Sequence, residues 1–239
     1  MSYQMTFQRY ELKYLLTRNQ KIAVMSAMKP YMSLDQYGRT TIRNIYFDTD
    51  TFRLIRRSIE RPSYKEKLRL RSYQSASAED PVFVELKKKY KSIVYKRRLI
   101  LPQKQAMDCL CSGAPLPVRS QIAKEINYFC SYYQTLKPAV FLSYEREAYY
   151  ARDGGDFRVT FDENILSRRE GFSFAEGIYG TPLLDRDTSL MEIKTSGGIP
   201  LWMVRCLTEN RIFKTSFSKY GAAYAKTILS DWRGGVLHA

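Results

Sequence analysis

The chain has 239 residues and a formal net charge of +15, from 39 Lys and Arg against 24 Asp and Glu. A hydrophobic content of 44% and 14% aromatics, with 19 Tyr, exclude a disordered chain and support a packed core, for which the length suits one domain over residues 1–239. The basic excess points to polyanionic partners: nucleic acid, an anionic membrane or phosphorylated small molecules.

Met1 to Arg9 lacks the apolar core of a secretory signal, and no segment has the run of apolar residues needed to span a bilayer. These features predict a cytoplasmic chain without a transmembrane segment. The first strand is expected at Gln4–Tyr14, where Phe7, Arg9, Glu11 and Lys13 alternate with Gln8, Tyr10, Leu12 and Tyr14. A helix pattern follows from Asn19 to Met32, broken near Pro30. Strand Thr41–Asp48 leads into Thr49-Asp50-Thr51, an N-cap cluster for the amphipathic run Phe52–Ile59. Three strands then read as an antiparallel meander: Tyr64–Tyr73 and Pro81–Lys88 around the polar Gln74–Asp80 loop, then Ser92–Leu101 after a turn at Lys89–Lys91. Within it, Lys67-Leu68-Arg69-Leu70-Arg71 sets three cations on one strand face and two leucines on the other. Glu85 and Lys87 alternate in the same way with Val82, Val84 and Leu86.

Helices are expected at Gln103–Cys111 and Ser120–Tyr133, separated by the Gly113–Pro117 loop. The four cysteines, Cys109, Cys111, Cys130 and Cys206, show neither zinc-site spacing nor a disulfide framework, which predicts reduced thiols. Val140–Tyr150 and Phe157–Asp162 form a hairpin around Asp153-Gly154-Gly155. Arg146 follows Tyr144 on its first strand; on the second, Arg158, Thr160 and Asp162 alternate with Phe157, Val159 and Phe161. Ser167–Asp187, with three glycines, is a small hairpin or a flap. In the last strand, Ser189–Thr195, Glu192 and Lys194 alternate with Met191 and Ile193, and helices Pro200–Asn210 and Ser218–Trp232 close the chain. Its single histidine, His238, argues against histidine acid–base chemistry and histidine metal ligation.

Recurrent stripes of charge opposite bulky apolar residues predict a sheet that packs its apolar face under helices and curls its charged face inward. The expected fold is therefore α+β, an eight-stranded antiparallel β-barrel tunnel with a charged lumen and peripheral helices. Like charges about 4 Å apart repel by roughly 4 kcal/mol at an effective dielectric near 20, so clustered Lys and Arg call for anions. The basic candidates are Arg9, Lys13, Lys67, Arg69, Arg71, Lys87, Arg98, Arg146, Arg158 and Lys194. Guanidinium forks and ammonium charges suit a run of phosphoryl groups, so the inferred substrate is a polyphosphate ester. Glu11, Glu85 and Glu192 either pair with these bases or hold a hard divalent cation, Mg²⁺ or Mn²⁺, with Glu192 the first choice. Lys219, opening the last helix, either reaches an anion or is a solvated helix lysine. No P-loop or Rossmann glycine pattern is present. A nucleic-acid binder would spread its bases over an outer face and has no use for inward carboxylates, so no nucleic-acid partner is expected.

In this order, Arg9-Tyr10-Glu11-Leu12-Lys13-Tyr14, Ile45-Tyr46-Phe47-Asp48, Lys67-Leu68-Arg69-Leu70-Arg71, Val84-Glu85-Leu86-Lys87, Tyr144-Glu145-Arg146, Arg158-Val159-Thr160-Phe161-Asp162, Glu192-Ile193-Lys194 and Phe217-Ser218-Lys219-Tyr220 resemble the VTC (vacuolar transporter chaperone) domain, the polyphosphate polymerase branch of the triphosphate tunnel metalloenzymes. The resemblance implies transfer of the γ-phosphate of ATP to a growing polyphosphate chain, with Mn²⁺ or Mg²⁺ on the carboxylate matching Glu192 and pyrophosphate or triphosphate as related ligands. It implies phosphate contacts from Lys13, Arg69, Arg71, Lys87, Arg146, Lys194 and Lys219, and also from Arg9, Lys96, Arg98 and Arg158. Arg69, Arg71, Lys87, Arg146 and Lys194 are the expected catalytic set. The related CYTH branch opens with Glu-x-Glu-x-Lys, whereas this chain has Arg9-x-Glu11-x-Lys13, which favours a phosphate-rich tunnel over a two-carboxylate hydrolytic site. The alternatives are a metal-dependent triphosphatase and a non-catalytic module binding polyphosphate or inositol phosphates. Eukaryotic relatives carry a phosphate-sensing domain and membrane spans, so a membrane-associated partner of unspecified identity is a further expectation.

Overall fold

A computed structural model describes residues 10–60, 62–91 and 93–229. Among them ten strands and six helices form an α+β architecture: β1 (Tyr10–Thr17), α1 (Arg18–Met28), β2 (Met32–Leu34), β3 (Thr40–Asp48), α2 (Arg53–Ile59), β4 (Tyr64–Ser72), β5 (Pro81–Tyr90), β6 (Ile93–Pro102), α3 (Gln103–Ser112), α4 (Gln121–Tyr133), β7 (Lys137–Ala151), β8 (Arg158–Arg168), β9 (Thr181–Pro182), β10 (Thr188–Thr195), α5 (Leu201–Glu209) and α6 (Lys219–Ala223). A π-helical turn, Tyr224–Ile228, continues α6. The chain divides into two compact units, each drawn from separated stretches: residues 1–41, 144–165 and 184–217, and residues 42–143, 166–183 and 218–239.

The first unit carries the strand order β1-β10-β8-β7, with β2 pairing β7; all of its described ladders are antiparallel. The helix expected over Asn19–Met32 ends at Met28, and Met32 instead opens β2. Alternation decides which side chains this unit buries. Tyr14, Leu16, Val159, Phe161, Met191 and Ile193 point to one face, where Val24 and Met28 of α1 and Met203, Cys206 and Leu207 of α5 cover them. Thr17 starts α1 with a reciprocal capping box: its hydroxyl accepts from the Gln20 amide, and the Gln20 side chain accepts from the Thr17 amide. The β7–β8 hairpin turns at the expected place. Gly154 takes φ +77°, which a residue with a Cβ adopts only at a cost, and Asp153 accepts from the Gly155 amide.

In the second unit the order is β7-β3-β4-β5-β6, and β4, β5 and β6 form the expected meander. Leu68, Leu70, Val82, Val84 and Leu86 are fully buried in one cluster with Ala106 and Leu110 of α3 and Ala123, Ile126 and Phe129 of α4. Burial of five such side chains contributes roughly 1.5–3 kcal/mol each before entropy is counted. Ser120 caps α4 by accepting from the Ala123 amide, and Gly113, at φ +74°, ends α3. The segment expected as a small hairpin or flap pairs β9 with β8, at Leu166 with Pro182 and Ser167 with Thr181. Buried Arg168 organises it: its guanidinium donates to the Glu170 and Gly171 carbonyls and lies over the Phe141 and Tyr179 rings. The eight main strands match the expected number. Closing them into a barrel would take a β1–β6 ladder, and none is found among the described residues.

Candidate functional site

Each unit presents an ionic cluster on the sheet face opposite its core. In the second unit the register of β3 to β6 places polar residues in cross-strand rows: Asn44 beside Arg71; Tyr46, Arg69, Glu85 and Arg98; Lys67, Lys87 and Lys96. Glu85 is 1% exposed, and both its carboxylate oxygens are engaged. Oε2 accepts from Arg69 Nε at 2.9 Å and Nη2 at 2.7 Å, with Arg71 Nε at 3.8 Å. Oε1 accepts from Arg98 Nε at 2.7 Å and pairs with Lys96 Nζ at 2.8 Å. Burial pushes this carboxyl up, but Arg69, Arg71 and Lys96 outweigh it and hold Glu85 well below the usual carboxylate range.

Neutral groups fix the forks. Tyr46 Oη accepts from Arg69 at 2.9 Å, Asn44 Oδ1 from Arg71 Nε at 3.0 Å, and Tyr73 Oη from Arg98 at 3.1 Å. Asn44 is itself aligned by donating to the Leu142 carbonyl. Beside this hub three lysines stand opposite one another across β4, β5 and β6, an arrangement that repels in the absence of anions. Lys67 donates to Ser218 Oγ at 2.9 Å, and the same hydroxyl caps α6 through the Gly221 amide, which sets Lys219 at the start of that helix. Tyr220 anchors the segment by donating to Asp48 at 2.8 Å.

The first unit centres on Glu192, buried on β10. Its carboxylate lies 3.4 Å from Lys13 Nζ, 3.1 Å from Lys194 Nζ and 3.6 Å from Arg146 Nη2. Lys13 Nζ is also 3.4 Å from Glu11 and donates to the Phe217 carbonyl at 3.0 Å. Arg146 grips fully buried Asp162 with two hydrogen bonds of 2.6 and 2.7 Å. Burial opposes the Arg146 charge, yet Asp162 outweighs it and holds the guanidinium firmly protonated. At Lys194 burial wins, and its ammonium sits below the usual lysine range despite Glu192.

Glu11 and Glu192 each lie 3.4 Å from the Lys13 ammonium, which takes the place between the two carboxylates. Among the described residues no group of three or more His, Cys, Asp or Glu forms a metal cage. Mg²⁺ and Mn²⁺ need only one or two carboxylates when phosphates and water complete the shell, so Glu11 and Glu192 are the residues that would hold one, in place of the Lys13 contact. Glu85 differs in how tightly it is held: Arg69, Arg98 Nε and Lys96 contact it at 2.7 to 2.9 Å, against 3.1 to 3.6 Å for the cations at Glu192.

The residues singled out from the sequence thus fall into two groups. Lys67, Arg69, Arg71, Glu85, Lys87, Lys96, Arg98 and Lys219 lie in the second unit, and Glu11, Lys13, Arg146, Arg158, Glu192 and Lys194 in the first. Arg9 lies outside the described residues. Sequence reading passed over Asp162, Asn44, Tyr46 and Tyr73 as partners of the arginines. Alternation did mark the face of Asp162, and Tyr46 sits in a quoted motif, but neither signal identifies which arginine each one holds.

No helix among the described residues is long and apolar enough to cross a membrane. Among solved structures the chain is similar to a Bacillus halodurans protein described as a candidate adenylate cyclase, with a TM-score of 0.54, 17% identity, and coverage of 88% of this chain and 95% of that one. It is also similar to a Hippeastrum protein described as a candidate adenylyl cyclase with a dominant triphosphatase activity, at a TM-score of 0.52 and 16% identity, covering 94% and 95%. At these identities the likeness is one of fold. A search of curated proteins returned no match. The model of the VTC domain matches residues 8–228, nearly the whole sequence, and the chain belongs to the VTC domain family.

Proposed function

We propose that the protein is an ATP-dependent polyphosphate polymerase. The observation that carries this reading is that a VTC-family chain has, in one unit, a lysine- and arginine-rich sheet face built around Glu85 and, in the other, a face with two carboxylates, Glu11 and Glu192, beside Lys13. In the reaction a terminal oxygen of the polyphosphate chain attacks the γ-phosphorus of ATP. The bond from that phosphorus to the β–γ bridging oxygen breaks, ADP leaves with the electron pair, and the chain grows by one phosphate. Such transfer relies on positioning and on neutralising charge at the phosphoryl and leaving oxygens, which needs no protein nucleophile.

Arg69 and Arg71, aligned by Tyr46 and Asn44, present guanidinium edges to phosphoryl oxygens, while Lys67, Lys87, Lys96, Arg98 and Lys219 supply charge along the chain. Lys13, Arg146, Arg158 and Lys194 do the same in the first unit. Glu192 and Glu11 would hold Mn²⁺ or Mg²⁺, which when bound withdraws charge from the phosphoryl oxygens. Glu85 keeps the arginine forks apart and oriented.

Two substitutions test these assignments. Glu192→Gln should abolish most polymer synthesis yet leave tripolyphosphate affinity equal or higher, because a negative charge leaves a basic cluster. Arg69→Ala should instead weaken tripolyphosphate binding, by roughly tenfold or more for a charged hydrogen-bonding contact. Full synthesis by the Glu192→Gln enzyme would make Glu192 a salt-bridge partner only.

A further inference from the structure

Two buried polar atoms in the first unit lack a hydrogen-bond partner among the described residues, and they stand two residues apart on one strand: Arg158 Nε and Thr160 Oγ1. Their neighbours Val159 and Phe161 enter the apolar core, so Arg158, Thr160 and Asp162 share the opposite, ionic face of β8. The register places Thr160 directly across from Glu192 and Arg158 across from Lys194. Thr160 is fully buried. A buried hydroxyl left unsatisfied is a cost that native structures rarely carry without a reason, such as a ligand or an ordered water.

The chemistry of the surroundings narrows the reason. Arg158 Nε–H can only donate and the Thr160 hydroxyl can donate as well as accept, so one acceptor placed between them would satisfy both. The nearby carboxylates are already engaged, Asp162 by both arms of Arg146 and Glu192 by Lys13, Lys194 and Arg146. The Arg158 guanidinium is held in place by lying over the Tyr150 ring, 4.5 Å from its centroid. An acceptor that tolerates this cationic setting is an oxyanion. We infer that the Thr160 hydroxyl and the Arg158 Nε–H form a donor pair for one phosphoryl group, making Thr160 a substrate-binding residue of the Glu192 cluster. The inference rests on the phosphate-binding reading above and assigns it a neutral hydroxyl donor amid charged ones.

Thr160→Val keeps the shape and removes the hydroxyl. Calorimetric titration with tripolyphosphate should show affinity falling roughly tenfold or more, since a hydrogen bond to a charged acceptor is lost. The ligand-free variant should melt at the same temperature as the wild type or higher, because an unsatisfied polar atom has gone. Thr160→Ser should bind within about threefold of the wild type. If the valine variant does not fold, Thr160→Ala carries the same expectation for affinity. A hydroxyl-free variant that binds within twofold of the wild type, while Arg69→Ala loses affinity, overturns the inference alone and assigns the hydroxyl to a structural water. Wild-type protein that binds no tripolyphosphate overturns the phosphate-binding reading together with this one.

Discussion

Glu85 shows how burial and pairing compete at a single side chain. Desolvation alone would favour its neutral form, yet cations on both oxygens keep it ionised. Its folded pKa lies below the unfolded value of about 4.3, so the stabilisation is fully present above that value and is lost as pH falls towards the depressed folded pKa. Glu85→Gln removes the carboxylate that Arg69, Arg71, Lys96 and Arg98 share. Breaking a buried pair in this way costs about 3 kcal/mol or more at neutral pH, read from urea denaturation, and the loss should shrink as the pH is lowered from 5 to 3. A variant as stable as the wild type at neutral pH would remove Glu85 from its central place. Much of this was legible in the sequence, because Arg69, Glu85 and Arg98 lie on three consecutive strands of a meander, where alternation sets the face. The role of Glu85 was not, since metal ligation and salt bridging require the same residue type and differ only in how many cations surround it.

Asp48 makes the same point for whole elements. The sequence suggests Thr49-Asp50-Thr51 as the cap of α2, and Thr49 Oγ1 does accept from the Arg53 amide. The larger share falls to Asp48, the last residue of β3, whose carboxylate accepts from the amides of Thr49, Leu54 and Ile55 and from the Tyr220 hydroxyl. One buried side chain thus ends a strand, starts a helix and anchors the Ser218–Lys219 segment. Asp48→Ala should cost about 2 kcal/mol or more, through loss of a cap and an unsatisfied buried Tyr220 hydroxyl, measured by chemical denaturation. A cost under 0.5 kcal/mol would show that α2 and α6 hold without it. Element positions followed from alternation and caps, as in the meander and the β7–β8 hairpin. The Asp48–Tyr220 and Arg146–Asp162 contacts did not, because the partner of a buried polar group depends on how distant segments pack rather than on local spacing. Short β2 in place of the end of a helix has a similar cause: pairing with Ala151 and Tyr150 of β7 overrides a weak helical pattern.

At the scale of the molecule the excess of 15 positive charges is partly organised rather than spread, since both units set basic clusters against the backs of their apolar cores. Each core is covered by its own helices, α1 and α5 in one unit and α3 and α4 in the other. That arrangement was readable from the stripes of charge opposite leucine and valine; the absence of a β1–β6 ladder among the described residues was not, because alternation fixes faces and says nothing about which edges meet. On the proposed function, a chain of phosphates would add anions beside the row of Lys67, Lys87 and Lys96. The most direct measurement is incubation of the purified protein with ATP and Mn²⁺, followed by separation of long polyphosphate from free phosphate, with Glu192→Gln in parallel. A polyphosphate polymerase yields ADP and long chains with little free phosphate, and the variant yields neither. Free phosphate without chains, or ATP left intact, would contradict the account.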